Sequence, residues 1–157
     1  MKLKPNHTTN MTNQISTYNK TFDELTTHEL YEILKARSAV FVMEQNCHYL
    51  DMDDVDFDAT HVVVMDGSTI VAYSRVYKGD HADAWHIGRV LSTQRNKHYG
   101  MKVMQEAIKV AGTLGAKLIE IDAQCYAIGF YEKLGFEVCS DEYLIDGILH
   151  KRMQLKP

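Results

Sequence analysis

The chain has 157 residues, of which 45% are hydrophobic and 24% are charged, and this is typical of one globular domain with a sizeable core. A formal net charge of −4 and the lack of a long apolar run or a signal-peptide core predict a cytoplasmic protein that binds neither nucleic acid nor a membrane. Cys47, Cys125 and Cys139 are too scattered for a paired motif and are predicted to be free thiols.

The amino-terminal part of the chain predicts an extension followed by a capped helix. Residues 1–13 are polar and aperiodic, so we expect a poorly ordered extension ahead of a single domain of residues 14–157. Met11 is a candidate alternative start within that extension. The pattern Thr26-x-x-Glu29 is a capping box, and apolar residues at helical spacing behind it predict a helix that runs to the early forties.

Strands flank this helix in the sequence. Residues 14–20 precede it and are predicted to form a first strand. After an acidic loop over 46–58, residues 61–65 and 70–77 have the β-branched and aromatic composition of strands. The turn residues of 66–69 between them are a hairpin signal, so this pair is predicted to be antiparallel.

The middle of the chain predicts a strand–helix–strand unit. A strand is predicted over 85–91, a polar loop over 92–99, a helix over 100–114 and a second strand over 117–122. Such a crossover makes the two strands parallel neighbours or near-neighbours. Together with the antiparallel hairpin, this predicts a mixed sheet with helices on both faces, and ligands in such sheets bind beyond the carboxyl ends of the strands.

The second strand leads into a short helix with a defined end. Four residues share one face of this helix: Ala127, Phe130, Tyr131 and Leu134. Gly135 is predicted to end the helix in a left-handed conformation, and Phe136 to pack back against it. The tail is predicted to form strands over 137–145 and 148–155 around an Asp-Gly turn.

An acidic loop is the most charged segment of the sequence. It carries five aspartates within eight residues, namely Asp51, Asp53, Asp54, Asp56 and Asp58. A calcium loop counted from Asp51 would need Gly at its sixth position and Glu at its twelfth, where this chain has Asp56 and Val62. Two interpretations stay open, a solvated loop and a surface that attracts a cationic amine. The histidines show no ligand spacing, so no metal is predicted.

These segments resemble a known family. The stretch from Gln124 to Phe136 resembles the Asn-x-x-Ala-x-x-Phe-Tyr-Glu-Lys-Leu-Gly-Phe signature of the GNAT superfamily of acyl-CoA-dependent N-acetyltransferases, with Gln124 in place of Asn. Further segments resemble its ElaA-like branch: Val40–Gln45, Tyr49, the acidic run to Asp56, Gly88-Arg89-Val90, Ala123-Gln124, Asp146-Gly147-Ile148, His150 and Met153. The resemblance covers roughly residues 22–154 and implies a mostly antiparallel sheet of about six or seven strands with a splayed parallel pair.

The resemblance implies that acetyl-CoA is the co-substrate. Amides at a helix amino terminus bind phosphate, and the family places the CoA pyrophosphate on such a loop, in which Arg95 and Gly100 fit the pattern and His98 replaces a glycine. The cofactor-binding residues implied in this way are Val90, Leu91, Arg95, Asn96, Lys97, His98, Tyr99, Gly100, Met101, Gln124, Phe130 and Tyr131. The alternative interpretation is that this loop is a basic segment ahead of the helix and binds no ligand.

The resemblance implies that Tyr131 protonates the departing thiolate, and the alternative for this residue is a packed core aromatic. The candidates for the base that deprotonates the amine are Glu44, Glu120 and the acidic loop. Glu120 lies on a buried strand, so it must be functional or paired, with Arg89 on the adjacent strand as the candidate partner. The predicted substrate-binding residues are Glu44, Asp53, Asp56 and Arg89.

Three functional hypotheses therefore remain open. The first is an enzyme that transfers an acetyl group from acetyl-CoA to a primary amine of a small molecule or peptide by direct attack in a ternary complex. The second is a non-catalytic CoA-binding module, which the missing loop glycine favours. The third is a protein-interaction domain that does not bind CoA, and a homodimer is compatible with all three.

Overall fold

The computed structural model describes residues 14–157, so the expectations for residues 1–13 and for Met11 fall outside the described residues. This range contains eight strands and three α-helices. In chain order they are β1 Ile15–Thr21, α1 Thr27–Arg37, β2 Thr60–Asp66, β3 Thr69–Lys78, β4 Ala84–Ser92, α2 Tyr99–Thr113, β5 Leu118–Gln124, α3 Ile128–Glu132, β6 Glu137–Val138, β7 Tyr143–Ile145 and β8 Ile148–Leu155.

The strands form one mixed sheet, which confirms the predicted fold class. Its order is β1-β2-β3-β4-β5-β8-β6, with β7 also paired to β8. All these pairings are antiparallel except that of β4 with β5, the two strands joined by α2. The parallel pair therefore interrupts an antiparallel sheet near its middle.

The described sheet has eight strands rather than six or seven, because the segment 137–145 forms two strands instead of the single one expected. Both pair with the same side of β8, Glu137 opposite Gln154 and Tyr143 opposite His150. Between them the Ser140 hydroxyl accepts a hydrogen bond from the Arg152 backbone N–H at 2.8 Å. A side chain thus replaces a rung of the backbone ladder and breaks the strand.

Helix α1 begins as the sequence predicts and ends in an unusual way. The Thr26 hydroxyl accepts from the Glu29 backbone N–H at 3.1 Å, and the Glu29 carboxylate accepts from the Thr26 N–H at 2.8 Å, which confirms the capping box. Past Arg37 the chain continues as a π-helical segment over Ser38–Glu44. This wider helix buries both Val40 and Phe41, and segments of this kind occur often at functional sites.

Two apolar clusters lie on opposite faces of the sheet. Helix α2 packs on one face, where its buried residues Val103, Met104 and Ala107 meet Val62 and Val64 of β2, among others. Helix α1 and the π-helical segment pack on the other face against Val63, Tyr73 and Leu91. Because neighbouring residues of β2 belong to different clusters, the strand alternation alone divides the core into two layers.

Candidate functional site

A cleft opens where the two parallel strands separate. Strands β4 and β5 pair only from Ala84 with Leu118 to His86 with Glu120, and beyond these residues they diverge. The cleft between them has a volume of about 460 Å³. Its lining includes Gln45, Tyr49, Asp53, Tyr77, His86, Gly88, Arg89, Val90, Asp122, Gln124, Tyr131, Asp146 and His150. Several predicted site residues from distant parts of the sequence are therefore brought to one place.

A β-bulge shapes the β4 wall of this cleft. Arg75 of β3 pairs with Gly88, but Tyr73 pairs with Leu91, so β4 contains one residue more than β3 over this interval. Arg89 lies within the bulge and has a positive φ of 52°. A bulge leaves backbone groups without ladder partners. Val90 lines the cleft beside it, whereas the Leu91 side chain is buried in the cluster under α1.

The loop ahead of α2 presents backbone amides. The first helical hydrogen bond runs from the Lys102 N–H to the His98 carbonyl at 3.1 Å, so the amides of Tyr99, Gly100 and Met101 precede it and have no helical acceptor. His98 has a φ of 59°, a left-handed conformation that costs a non-glycine residue about 1 kcal/mol or more. The loop therefore adopts the backbone that a glycine would favour although histidine stands there.

The side chains of this loop differ in their surroundings. Arg95, Asn96, Lys97 and His98 are exposed, so their charges and amides face solvent. Tyr99 is buried instead, and its hydroxyl donates to Asp66 Oδ2 at 3.3 Å. Only the amide of Tyr99 is left for a ligand.

Phe130 links α3 to the start of α2. A Cβ on Gly100 would lie 3.6 Å from the Phe130 ring, an ordinary contact distance, so the two elements touch here. On the other side of the cleft, the Gln124 side-chain amide donates to Gln45 Oε1 at 3.2 Å. Gln124 therefore connects the end of β5 to the residue that follows the π-helical segment.

Tyr131 lies on α3 and lines the cleft. Gly135 has a φ of 92° and ends the helix as predicted, and the buried Phe136 donates its N–H to the Tyr131 carbonyl at 3.2 Å. The ring stacks edge-on against Phe130 at 5.0 Å. Burial raises the pKa of Tyr131, so its phenol is protonated at neutral pH. Within residues 14–157 the hydroxyl has no hydrogen-bond partner, unlike that of a satisfied core tyrosine.

Buried guanidinium groups hold three of the five aspartates of the acidic loop, whereas Asp54 and Asp58 are exposed. Arg37 is fully buried and bonds Asp56 at 2.6 Å and Asp51 at 2.9 Å. Arg75 bonds the same Asp56 at 2.9 Å. Burial raises the pKa of Asp56, but hydrogen bonds from Arg37 and Arg75 outweigh this effect and hold the pKa below its usual value. Asp56 is therefore a buried structural anion rather than a group at the cleft surface.

The outer part of this network forms a wall of the cleft. Arg89 bonds Asp51 at 2.8 Å and Asp53 at 3.3 Å, and its guanidinium stacks on Tyr49 at 4.9 Å from the ring centroid. Asp53 is also paired with Arg75 at 2.6 Å. Asp53, Arg89 and Tyr49 all line the cleft. Three arginines thus compensate three aspartates, and within residues 14–157 the exposed Asp54 and Asp58 make no ion pair.

The two predicted glutamate bases lie elsewhere. Glu44 is exposed, and Glu120 is 5% exposed, and neither lines the cleft. The expected pairing of Glu120 with Arg89 is wrong. Glu120 instead accepts from Gln154 at 3.0 Å and lies 3.5 Å from Arg152. The reason is geometric, since β4 and β5 have already diverged at Arg89.

Sequence reasoning missed a polar cluster at the point of divergence. His86 Nε2 lies 3.3 Å from Asp122 Oδ2, and the other oxygen of Asp122 accepts from Arg152 Nε at 2.9 Å and from the Tyr143 hydroxyl. Burial raises the pKa of Asp122, but hydrogen bonds from His86 and Tyr143 and the charge of Arg152 outweigh it and hold the pKa far below its usual value. The only sign of this cluster in the sequence was His86, a histidine within a largely apolar strand.

The cysteines and the possible metal ligands within residues 14–157 form no further site. The three cysteines are free, and burial raises the pKa of Cys47, the one that lines the cleft. In the same range no group of three His, Cys, Asp or Glu side chains is arranged to hold a metal ion. None of the described helices has the length and apolar character to cross a bilayer.

Comparison with known proteins relates this arrangement to one family. The model of the acetyltransferase (GNAT) domain family matches residues 20–157. Protein ElaA of Escherichia coli is 34% identical over 133 residues, which are 81% of this chain and 87% of ElaA. A UPF0039 protein of Schizosaccharomyces pombe is 35% identical over 142 residues, 87% of this chain and 94% of that protein.

Solved structures agree with these relatives. The crystal structure of E. coli ElaA superposes with a TM-score of 0.83 at 31% identity and covers 90% of this chain and 99% of ElaA. An acyl-CoA N-acyltransferase from Pseudomonas aeruginosa superposes with a TM-score of 0.82 at 30% identity, with the same coverage of 90% and 99%.

Proposed function

The chain belongs to the GNAT acetyltransferase family, and from this premise we propose that it transfers an acetyl group from acetyl-CoA to a primary amine of a small molecule or peptide. The observation that carries the proposal is the cleft between the diverging strands β4 and β5, with Tyr131 in its wall. Beyond His86 and Glu120 the backbone groups of the two strands no longer pair with each other. There an extended thioester arm can bind between them as a strand would.

The cofactor end of the site follows from the loop ahead of α2. The amides of residues 99–101 and the positive end of the helix dipole bind the CoA pyrophosphate. Exposed Arg95 and Lys97 add positive charge beside them. The thioester then lies against the β4 bulge at Arg89 and Val90, where a backbone N–H without a ladder partner can donate to the carbonyl oxygen as negative charge develops on it.

Tyr131 supplies the proton for the leaving group. As the amine nitrogen forms its bond to the carbonyl carbon, the carbon–sulfur bond breaks and the thiolate takes the phenolic proton. The raised pKa keeps Tyr131 protonated until that moment, and its hydroxyl is not engaged by another described residue. A phenol is a weaker acid than the conjugate thiol, whose pKa is ~8.5 by analogy with cysteine, so the transfer is completed when the new amide nitrogen gives its extra proton to the Tyr131 phenolate.

Direct attack is favoured over an acyl-enzyme. A thiol nucleophile must be ionised to react. Cys47 lines the cleft, but burial raises its pKa, so the thiol is protonated at neutral pH. Cys125, which follows β5, is not among the lining residues. A ternary complex of both substrates therefore fits the site better than a covalent intermediate.

The amine acceptor occupies the end of the cleft beyond the bulge. Asp53 and Arg89 line one side of it, and Asp146 lines the other at the β7–β8 turn. Because arginines pair with Asp51, Asp53 and Asp56, these residues form a rigid wall of the cleft. Selectivity for the acceptor then depends on short contacts in this region.

Thiol release from acetyl-CoA with a panel of amines tests the proposal. Tyr131→Phe removes one oxygen and little volume, so we expect CoA affinity by calorimetry and the melting temperature to stay near those of the wild type. Turnover should fall by about 10²–10⁴-fold. The loss should appear in kcat and kcat/KM alike, because the proton moves only in the transition state. The matched control is Tyr31→Phe on the exposed side of α1.

Two results would redirect the proposal. Full turnover in folded Tyr131→Phe would exclude this tyrosine as the acid. CoA binding without turnover on any amine would favour a non-catalytic CoA-binding module. The observation behind that second candidate is the left-handed backbone of His98 at a family glycine position, since a Cβ there restricts close approach of a phosphate.

A further inference from the structure

His86 occupies the last paired position before the strands diverge. Its backbone lies between Tyr77 of β3 and Glu120 of β5, and the residue is 8% exposed and lines the cleft. The Tyr77 ring stacks against the imidazole with the centroids 5.1 Å apart. The ring is therefore held at the point where the strands begin to diverge, in the same cleft as Arg89 and Tyr131.

The neighbours of His86 define which nitrogen carries its proton. Nε2 faces the Asp122 carboxylate at 3.3 Å, and a carboxylate with a low pKa can only accept, so Nε2 must donate. Nδ1 then carries the lone pair. Within residues 14–157 Nδ1 makes no hydrogen bond. A side chain held by a carboxylate at one nitrogen and left with a lone pair at the other has the arrangement of a general base.

Charged and polar groups from four strands surround the imidazole. Glu120 and Asp122 on β5 share the single guanidinium of Arg152 on β8, which leaves one negative charge uncompensated beside His86. Tyr143 of β7 and Tyr77 of β3 are neutral at physiological pH, because burial, together with Asp122, raises the pKa of each. On the same face Arg75 and Arg89 are already paired with Asp53. His86 is therefore the ionisable side chain of this cluster that lines the cleft without a pairing arginine.

We propose that His86 is the general base that takes a proton from the acceptor ammonium, with Asp122 as its positioning residue. This rests on the proposed acetyl transfer. The ammonium nitrogen gives one proton to Nδ1, and the freed lone pair forms the carbon–nitrogen bond. The thiolate that leaves takes its proton from Tyr131, and the new amide nitrogen gives its remaining extra proton to the Tyr131 phenolate. His86 returns its own proton to solvent when the product departs. Neither Glu44 nor Glu120 has a part in this step.

Kinetics of His86→Gln test the proposal, because glutamine can still donate to Asp122 but cannot take up a proton. At pH 7 we expect kcat/KM to fall by about 10²–10⁴-fold for an acceptor with a strongly basic amine, pKa ~10.4. The deficit should shrink toward pH 9 for an acceptor with an amine of pKa ~8, which is then largely deprotonated without help. A deficit that is the same at every pH and for both acceptors would indicate a structural role and overturn the proposal.

Two further variants complete the kinetic test. Asp122→Asn should move the midpoint of the acid limb of the kcat/KM profile to lower pH, because it removes a negative charge that stabilises the imidazolium. His81→Gln, an exposed histidine in the loop before β4, should leave the profile unchanged. An unshifted midpoint in Asp122→Asn would contradict the positioning role.

The tautomer of His86 can be read without any turnover. Nitrogen NMR of the wild type should show the neutral ring protonated at Nε2, and Asp122→Asn should change the Nε2 resonance more than that of any other histidine. A proton on Nδ1 would overturn the proposal. If the wild type acetylates no amine, the proposed function fails, and this measurement still reports separately whether His86 has the bare nitrogen that a base requires.

Discussion

The sheet has two faces of very different composition. The face under α2 is lined almost wholly by aliphatic side chains, including Val62, Val64, Val76, Ile87 and Ile121. The face under α1 carries polar and charged groups from the same strands, including His61, Arg75, Tyr77, His86 and Asp122. Strand alternation places the two sets one residue apart. One strand can therefore build the core with one side and the site with the other.

This difference shows which face depends on specific partners for its stability. Aliphatic side chains stabilise the α2 face in proportion to the area they bury, and similar shapes replace each other at small cost. The charges of the α1 face are stable only as a complete set, because an uncompensated charge in a buried position is costly. Each partner in the arginine–aspartate network is therefore less replaceable than a core methionine.

The largest effect on stability is expected from Arg37→Met. This change keeps much of the side-chain length and deletes the charge that holds Asp51 and Asp56. The free energy of unfolding should fall by about 3–5 kcal/mol, since one buried carboxylate loses a partner. Urea denaturation measures it. The control is Lys35→Met on the same helix, whose pair with Glu32 is exposed and worth less than about 1 kcal/mol.

The counterpart on the opposite face is Met104→Leu. Met104 is fully buried against the sheet under α2, and leucine has nearly the same volume. The expected loss is under about 1.5 kcal/mol. Equal losses in Arg37→Met and Met104→Leu would remove the distinction between the two faces.

A more gradual effect is expected from pH, and it too should come from the α1 face. The pKa values of Asp53, Asp56 and Asp122 are lowered, so their contribution to stability is present above their unfolded pKa of ~3.9 and is lost as pH falls through the lower folded values. Burial lowers the pKa of His61, so the unfolded chain binds its proton first and stability already declines below ~6.5.

Unfolding by urea between pH 8 and pH 3 should therefore show a decline in two stages. His61→Gln should remove the first stage, and Arg37→Met should make the second stage shallower. A stability maximum near pH 4 would contradict this account of the α1 face.

The fold was largely predictable because its determinants are local. The capping box at Thr26, the left-handed Gly135 and the hairpin of β2 and β3 follow from residues close together in sequence. The parallel pairing of β4 with β5 follows from the general geometry of a strand–helix–strand crossover. The break between β6 and β7 was not predictable. It depends on a hydrogen bond from the Arg152 N–H to the Ser140 hydroxyl, across a turn that no local pattern shows.

The site was predictable only in part, because several of its contacts join residues far apart in sequence. Tyr131 and the loop before α2 belong to contiguous motifs, and the family resemblance located them. Arg89 and Asp51 are 38 residues apart in sequence, and His86 and Asp122 lie on different strands, so only the sheet register brings them together. A charged residue in a buried strand signals that a partner exists, but it does not indicate which one.

Hydrogen exchange with and without CoA tests most directly the claim that the diverging strands and the α2 amides form the cofactor site. The account predicts that CoA slows exchange at the amides of residues 99–101 and at the bulge residues 89–90. It predicts no change in the separate groove lined by Lys20, Glu106 and Lys109, between β1 and α2. Protection confined to that groove, or exchange at 99–101 unaltered by saturating CoA, would contradict the assignment of the cleft as the acetyl-transfer site.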